Sequence, residues 1–196
     1  MFGDAVETNV DGGTAKAARY RLLPADLRDT EALTAAVKAA GLRRDRQTLV
    51  ICECVLVYMQ PEESARLVRW AGETFDTAGC AVYEQINPGD AFGRQMIQAL
   101  EARGCPLLGL VATPTCEAHE RRFLDAGWDM AEAADMAEVY RRVLDQTAVR
   151  AAERLEPLDE VEEWNLFQSH YCVCLAVKDP NGVLATLRLR PVAGTT

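Results

Sequence analysis

A single acidic side chain, Glu53, interrupts the most apolar stretch of the sequence, residues 48–57 (TLVICECVLV). A carboxylate that leaves water without a partner loses much of its solvation free energy, so this pattern requires a compensating group. An internal arginine or a backbone N–H group is one possible partner. Because charged residues are seldom fully buried without a specific partner, we favour the alternative that Glu53 receives a cationic ligand group or a ribose hydroxyl.

A second acidic residue, Asp26, lies where a short apolar segment gives way to a predicted helix, within LLPADLRD at 22–29. Aspartate is common at such positions as a turn or capping residue. The functional alternative is that Asp26 accepts a hydrogen bond from the exocyclic amine of an adenine, with Leu27 as the apolar contact. The residues alone leave both interpretations open.

The cysteines and histidines predict neither a metal site nor a nucleophile. Cys52 with Cys54, and Cys172 with Cys174, are spaced two apart within apolar runs, which is typical of small buried side chains. A zinc site prefers a longer spacing around a turn, and the two histidines are poorly placed as ligands. No order of Ser, His and Asp suggests a catalytic triad, and a cysteine nucleophile would lack an evident base.

Composition describes an ordinary globular chain of 196 residues with a formal charge of −9 and 49% hydrophobic residues. The acidic balance argues against a nucleic-acid partner bound through a basic face. The apolar runs are shorter than the ~20 residues that span a bilayer, so no membrane partner is expected. Seven cysteines in a chain without a leader-like start favour a reducing compartment, and we expect a cytoplasmic protein.

Apolar runs and helical periods alternate along the chain, which predicts an α/β fold with a mostly parallel sheet. Ligands in such sheets bind at the carboxyl ends of the strands. Residues 1–17 lack a hydrophobic period and are interpreted as a flexible segment, residues 18–178 as the folded part and residues 179–196 as a tail. Strands are predicted at 20–23, 48–57, 80–86, 128–133, 171–177 and weakly 184–189, and helices at 30–40, 61–75, 91–103, 116–126, 136–144 and 147–155.

Several long motifs occur in one order between about residues 18 and 178, and together they resemble the leucine carboxyl methyltransferase family. The longest are ECVLVYM at 53–59 with PEES at 61–64, and YEQIN at 83–87 followed by Asp90, Phe92 and Gly93. The others are DLRD at 26–29, GCPL at 104–107, the segment 120–128 ending in Gly127-Trp128, Asp135-Met136 with Glu138 and Tyr140, and HYC at 170–172.

The resemblance implies a class I, Rossmann-like methyltransferase fold that binds S-adenosylmethionine and methylates the terminal leucine carboxylate of the protein phosphatase 2A catalytic subunit. On matching positions, it implies that Asp26 and Leu27 contact the adenine and that Glu53 contacts the methionine or ribose part. Tyr58 is implied to lie near the methyl-transfer site. We therefore expect Asp26 and Glu53 to converge on one cleft at the carboxyl ends of adjacent strands.

The chain also departs from the family pattern. Family members carry a long N-terminal half with a glycine-rich loop, an acidic ribose-binding residue and the Lys and Arg residues that hold carboxylates, so the chain resembles their C-terminal portion. Two alternatives therefore stay open: a noncatalytic remnant or phosphatase-interacting module, and a related carboxyl methyltransferase that modifies tRNA. The lack of a catalytic histidine is no objection, because a carboxylate of pKa ~3.5 is already ionised at neutral pH.

Overall fold

The computed structural model describes residues 6–156 and 159–189, and its centre is a four-stranded sheet. The strands are β4 (Thr48–Glu53), β5 (Ala78–Gln85), β6 (Met130–Asp135) and β7 (Tyr171–Lys178), in the order β4-β5-β7-β6. Helices separate the strands along the chain, as the alternating sequence pattern predicts. The α/β fold class is therefore confirmed.

The prediction of a mostly parallel sheet is only partly correct. Strands β4 and β5 pair in parallel, whereas β7 is antiparallel to both of its neighbours. The reversal has a simple cause in the chain path. Strand β6 ends at Asp135, which pairs with Cys172 near the start of β7, so the connection between them leaves and re-enters the sheet at the same end. A return of this kind needs no crossover helix.

Four helices follow the predicted starts closely, because each start carries a capping group. Their bounds are α1 (Thr30–Ala39), α2 (Pro61–Thr74), α3 (Ala91–Ala102) and α4 (Cys116–Leu124). The Asp29 and Asp90 carboxylates accept hydrogen bonds from the N–H groups of Ala32 and Gly93, at 2.9 and 2.7 Å. Helix α2 begins with a capping box between Gln60 and Glu63. Such caps satisfy N–H groups that have no partner within the helix.

The core lies between one face of the sheet and helices α1, α2 and α4. Side chains from the sheet, such as Val82 and Cys174, pack there against Val68 and Phe123 from the helices. The Trp128 indole N–H donates to the Val68 carbonyl at 3.1 Å, which ties the start of the β6 region to α2. Among residues 6–156 and 159–189, no comparable layer of helices covers the other face of the sheet beside β4, where Leu49 and Ile51 are exposed.

The connection from β6 to β7 is helical but more broken than predicted. It comprises α5 (Met136–Glu138), a π-helical turn at Val139–Val143, α6 (Gln146–Leu155) and α7 (Val161–Gln168), of which α7 was not predicted. Helix α7 exposes most of its side chains, so its sequence shows little apolar period. Its Trp164 ring packs against Tyr140 with a centroid distance of 4.5 Å.

The amino-terminal part of the described chain forms a second, three-stranded sheet. Strands β1 (Glu7–Asn9), β2 (Thr14–Ala17) and β3 (Tyr20–Leu22) pair in antiparallel order. Regular structure in residues 6–17 contradicts the expectation of a segment without folded structure, and β3 does not join the main sheet. These strands are three or four residues long and mostly exposed, so they carry no hydrophobic alternation. Residues 1–5 lie outside the described part.

The weak strand predicted at 184–189 is absent from the described residues, which form turns there. The Asp179 carboxylate accepts from the backbone N–H groups of Val183 and Leu184, at 2.9 and 2.7 Å, and so holds a turn. Further along, the Glu132 carboxylate accepts from the Leu189 N–H at 3.0 Å. Carboxylate side chains thus accept hydrogen bonds from the backbone N–H groups that a strand would need for pairing.

Candidate functional site

Three of the four predicted site residues line one cavity of about 370 Å³. They are Asp26 and Leu27, from the segment between β3 and α1, and Tyr58, from the segment between β4 and α2. The remaining lining residues are Arg28, Val55, Met59, Gln60, Glu63 and Leu108. The cavity therefore combines an acidic group, apolar contacts and a phenol beside the carboxyl end of β4.

The Asp26 carboxylate is held in place by its neighbour Arg28. The guanidinium donates to both carboxylate oxygens, with a shortest N–O distance of 2.7 Å, and the Arg28 backbone N–H donates at 2.9 Å. These hydrogen bonds lower the pKa of Asp26 to about 2. The side chain is thus an ionised acceptor throughout the physiological range, and a carboxylate retains room for a further donor.

Tyr58 ends a short 3₁₀ turn at Leu56–Tyr58 that replaces the last part of the predicted strand 48–57. The strand ends at Glu53 because Cys54 adopts a positive φ of 49°, which directs the chain away from the sheet. The Tyr58 side chain is partly exposed, and burial of the remainder raises the pKa of its phenol. Tyr58 is therefore a neutral hydrogen-bonding group at neutral pH.

The 3₁₀ turn is fixed from two sides at Val57. The buried Glu84 carboxylate accepts from the Val57 N–H at 2.8 Å, and the Gly109 N–H donates to the Val57 carbonyl at 2.8 Å. A Cβ on Gly109 would approach the Leu56 carbonyl oxygen to 3.0 Å, so this close contact favours glycine. These contacts position the segment that carries Tyr58.

Glu53 differs from the expectation of a buried carboxylate, because it is exposed at the carboxyl end of β4. It lines a separate depression of about 400 Å³ on the sheet face, together with residues that include Ile51, Tyr83 and Val173. Successive side chains of a strand point to opposite faces, and Glu53 shares the exposed face of β4 with Leu49 and Ile51, whereas Val50 and Cys52 pack against the core. The expectation that Asp26 and Glu53 follow adjacent strands is wrong, since β3 belongs to the other sheet.

The buried carboxylate of this sheet is instead Glu84 in β5, which the sequence analysis did not select. Its side chain has no exposed surface and pairs with Arg122 of α4 at 3.0 Å. Arg122 also donates to His119 Nδ1 at 2.9 Å, which places the histidine proton on Nε2. Burial, aided by the Arg122 charge, lowers the pKa of His119 to about 3. Glu84 interrupts the apolar segment CAVYEQI, just as Glu53 interrupts its own apolar stretch, so the same sequence pattern could have identified it.

A second network joins the loop after β5 to the start of β7. His170 is buried, and its Nε2 lies 3.0 Å from the Asp90 carboxylate that caps α3. The Asn87 side chain donates to the Ser169 carbonyl at 2.7 Å, and Asn87 itself has a positive φ of 57°. Asparagine adopts this left-handed conformation more readily than most other non-glycine residues, and its side-chain hydrogen bond holds the loop after β5 against the start of β7.

The seven cysteines carry no disulfide in the structure. Within residues 6–156 and 159–189, no group of three or more His, Cys, Asp or Glu side chains is arranged to hold a metal ion. The described helices include none with the length and apolar character needed to cross a membrane.

Comparison with known proteins agrees with this architecture. The family described as leucine carboxyl methyltransferase matches residues 9–72. The chain is 46% identical to the leucine carboxyl methyltransferase 1 homolog of Arabidopsis thaliana, over 93% of this chain and 55% of that protein. It is also 44% identical to tRNA wybutosine-synthesizing protein 4 of Rattus norvegicus, over 80% of this chain and 23% of that protein.

The fold is also similar to that of a solved structure, a candidate methyltransferase from Thermobifida fusca YX. The TM-score is 0.56 at 16% identity, and the similarity covers 79% of this chain and 52% of that one. The chain thus has a methyltransferase-like α/β fold and spans about half the length of the leucine carboxyl methyltransferases that it matches. Sequence similarity along most of its length thus relates the chain to the leucine carboxyl methyltransferases, whose family model matches residues 9–72.

Proposed function

We propose that this chain forms one wall of an S-adenosylmethionine site and takes part in methyl transfer to the C-terminal leucine carboxylate of the protein phosphatase 2A catalytic subunit. The observation that carries the proposal is the single cavity lined by Asp26, Leu27 and Tyr58. Similarity to the leucine carboxyl methyltransferases supports methyl transfer as the reaction. We place the reaction in the cytoplasm, in keeping with the cysteine content.

The side chains present fit the groups of this cofactor. Asp26 is an ionised acceptor next to the apolar Leu27, a combination that suits an adenine with its exocyclic amine. Glu53 offers an exposed carboxylate at the carboxyl end of β4, where an ammonium or a ribose hydroxyl would be recognised. When bound, the cofactor supplies an electrophilic sulfonium methyl group.

In this reaction the residues of the chain need only align the substrate and exclude water. A leucine carboxylate is already ionised at neutral pH, so its attack on a methyl group requires alignment and exclusion of water rather than a general base. Tyr58 is neutral and fixed through Val57, so it can donate a hydrogen bond within the cavity. Arg28, the cation in this cavity, is bound to Asp26. The resemblance assigns the cations that orient the substrate to the part of the family that this chain does not span.

The proposal is tested by methyl transfer from radiolabelled S-adenosylmethionine to a peptide with the phosphatase tail sequence. The isolated chain should show no transfer, and a chimaera with the unmatched part of the Arabidopsis relative should methylate the peptide acid but not the matching peptide amide. Methylation of tRNA in place of the peptide would favour the tRNA-modifying alternative. Peptide binding without transfer by the chimaera would favour the noncatalytic alternative.

A further inference from the structure

Two cysteines from different elements meet at the amino-terminal end of α4. Cys116 is the first residue of this helix and is partly exposed, whereas Cys172 lies near the start of β7 and has no exposed surface. Their thiols are joined by a side-chain hydrogen bond. Neither thiol lines the candidate cofactor cavity, so the contact belongs to a different part of the molecule.

The backbone holds both cysteines against one short segment, residues 86–87. The two N–H groups of this segment donate in turn to the carbonyls of His170 and Pro114, each at 2.9 Å. Cys172 follows His170 by two residues, and Cys116 follows Pro114 by two residues. Helix α4 also packs directly against β7. Because adjacent residues anchor both stretches of chain, the two thiols are held together in the folded state.

The two thiols differ in reactivity. The hydrogen bond with Cys172 lowers the pKa of the Cys116 thiol, although burial and the nearby Asp135, Glu117 and Glu120 act in the opposite direction. The same hydrogen bond, together with burial, raises the pKa of the Cys172 thiol. The thiolate is the nucleophile in thiol chemistry, and Cys116 is also the more accessible member of the pair. Cys116 is therefore the group that an external electrophile meets first.

A second pair of thiols, Cys52 and Cys80, also forms a hydrogen bond but has the wrong backbone geometry for a disulfide. Cys52 pairs in register with Val82, so Cys80 lies two residues away along the neighbouring strand. Strands about 4.8 Å apart with a rise of about 3.3 Å per residue place the two Cα atoms about 8 Å apart. Cysteines whose Cα atoms are separated by more than about 7 Å cannot be bridged unless the backbone moves. This pair is therefore an internal comparison for the first.

We propose that Cys116 and Cys172 form a reversible oxidation site for hydroperoxides. The Cys116 thiolate attacks one oxygen of hydrogen peroxide, the O–O bond breaks, and hydroxide leaves as Cys116 becomes a sulfenic acid. The Cys172 sulfur then attacks the sulfenic sulfur, an S–S bond forms, and the Cys172 proton leaves with the sulfenic hydroxyl group as water. The hydroxide takes up the proton that Cys116 lost. The dithiol is thus oxidised by two electrons, and the peroxide is reduced to two molecules of water.

The arrangement favours reversible oxidation over permanent damage. A sulfenic acid that has no thiol beside it is oxidised further to sulfinic acid, which ordinary thiols do not reduce. Cys172 is held against Cys116 and intercepts the sulfenic acid before that step. Disulfides that form in a reducing compartment are transient, because cellular thiols reduce them again. The inference concerns oxidation of the chain and does not depend on the proposed methyl transfer.

The test exposes the folded, reduced chain to hydrogen peroxide and then blocks the remaining thiols with iodoacetamide. Non-reducing proteolysis with fragmentation mass spectrometry should find a cross-link between Cys116 and Cys172 that is at least about tenfold more abundant than that of any other cysteine pair. Dithiothreitol should remove this cross-link completely. The control Cys105→Ser should leave its yield unchanged, because the Cys105 thiol is exposed but contacts the Arg103 carbonyl rather than another thiol.

The variant Cys172→Ser separates the two steps, since it keeps the attacking thiol and removes the resolving one. Dimedone should then capture Cys116 as sulfenic acid in at least about tenfold higher yield than in the parent. Three results would overturn the inference: no oxidation of Cys116, its oxidation to sulfinic acid in the parent without a cross-link, or a cross-link that forms only after the chain is unfolded in urea. The cross-link is mapped in the unsubstituted chain, so it decides the matter even if Cys172→Ser fails to fold.

Discussion

The fully buried Glu84 carboxylate accepts a 2.8 Å hydrogen bond from the backbone N–H of Val57. One strand of the sheet thereby positions the turn that ends in Tyr58. The other oxygen of the same carboxylate pairs with Arg122, so the turn is connected to α4 through two buried charges. The geometry of the candidate site depends on an ion pair that lies outside its cavity.

Removal of one member of this pair should be strongly destabilising. We expect Glu84→Ala to lower the free energy of unfolding by about 3–5 kcal/mol, because it leaves the Arg122 charge buried without its partner. The combined substitution Glu84→Leu with Arg122→Met should recover much of that loss, since it removes both charges. Urea denaturation measures both effects.

The control for this prediction is the exposed pair between Arg43 and Asp45, in which Asp45→Ala should change stability little. An equal loss of stability in Glu84→Ala and Asp45→Ala would show that the buried pair has no special role.

The low pKa of His119 predicts a loss of stability in acid. In the folded state its pKa is about 3, against 6.5 for the free side chain, so between these values the unfolded chain binds the extra proton. The neutral His119 side chain therefore costs the folded state nothing above pH 6.5, and the free energy of unfolding falls as the pH drops from 6.5 towards 3. Between pH 7 and 5, this single group should cost roughly 2 kcal/mol of unfolding free energy.

Comparison of the parent with His119→Gln isolates this contribution, because glutamine retains an acceptor for Arg122 but does not titrate. The variant should lose less stability between pH 7 and 5 than the parent does. Parallel pH profiles for the two proteins would contradict the assignment of a buried neutral histidine.

The first turn of α3 packs so closely against the loop after β5 that Gly93 should tolerate no side chain. A Cβ there would lie 2.3 Å from the Asn87 carbonyl oxygen and 2.7 Å from backbone atoms of Pro88. We expect Gly93→Ala to destabilise the chain by about 1–3 kcal/mol, as overpacking does. Gly89 is the matched control, since a Cβ there meets no atom within 4 Å. Thermal unfolding that ranks Gly89→Ala as the more damaging change would refute this packing.

The amino-acid sequence predicts those helices and strands whose own residues carry a recognisable pattern, such as an apolar run or a helix cap. The apolar runs at β5 and β7 and the capped starts of α1 to α4 are examples, because caps and buried strands are visible in the residues themselves. The reversed direction of β7 was not predictable in this way. It depends on where the connection from β6 re-enters the sheet, which no local pattern records.

The buried carboxylate illustrates the same limit at the site. Glu53 and Glu84 each interrupt an apolar run, yet Glu53 is exposed and Glu84 is buried. The difference arises because Glu53 lies on the exposed face of β4, whereas Glu84 lies on the face of β5 that packs against the helices. Tertiary packing determines which face of a strand the helices cover, and a single sequence does not record that choice. The family resemblance led to Asp26, Leu27, Tyr58 and Glu53 as site residues, of which the first three line one cavity while Glu53 lines a separate depression.

Titration calorimetry with S-adenosylmethionine tests the central claim, that this chain supplies one wall of the cofactor site. The isolated chain should bind at least roughly a thousandfold more weakly than the chimaera, if four or more polar contacts of about 1 kcal/mol each come from the unmatched part. In the chimaera, Asp26→Asn and Glu53→Ala should each weaken binding by about tenfold or more, because each removes a charge-assisted contact. Glu101→Ala, at an exposed carboxylate on α3, should leave binding unchanged. A chimaera that binds the cofactor equally well with Asp26→Asn and Glu53→Ala would contradict the claim.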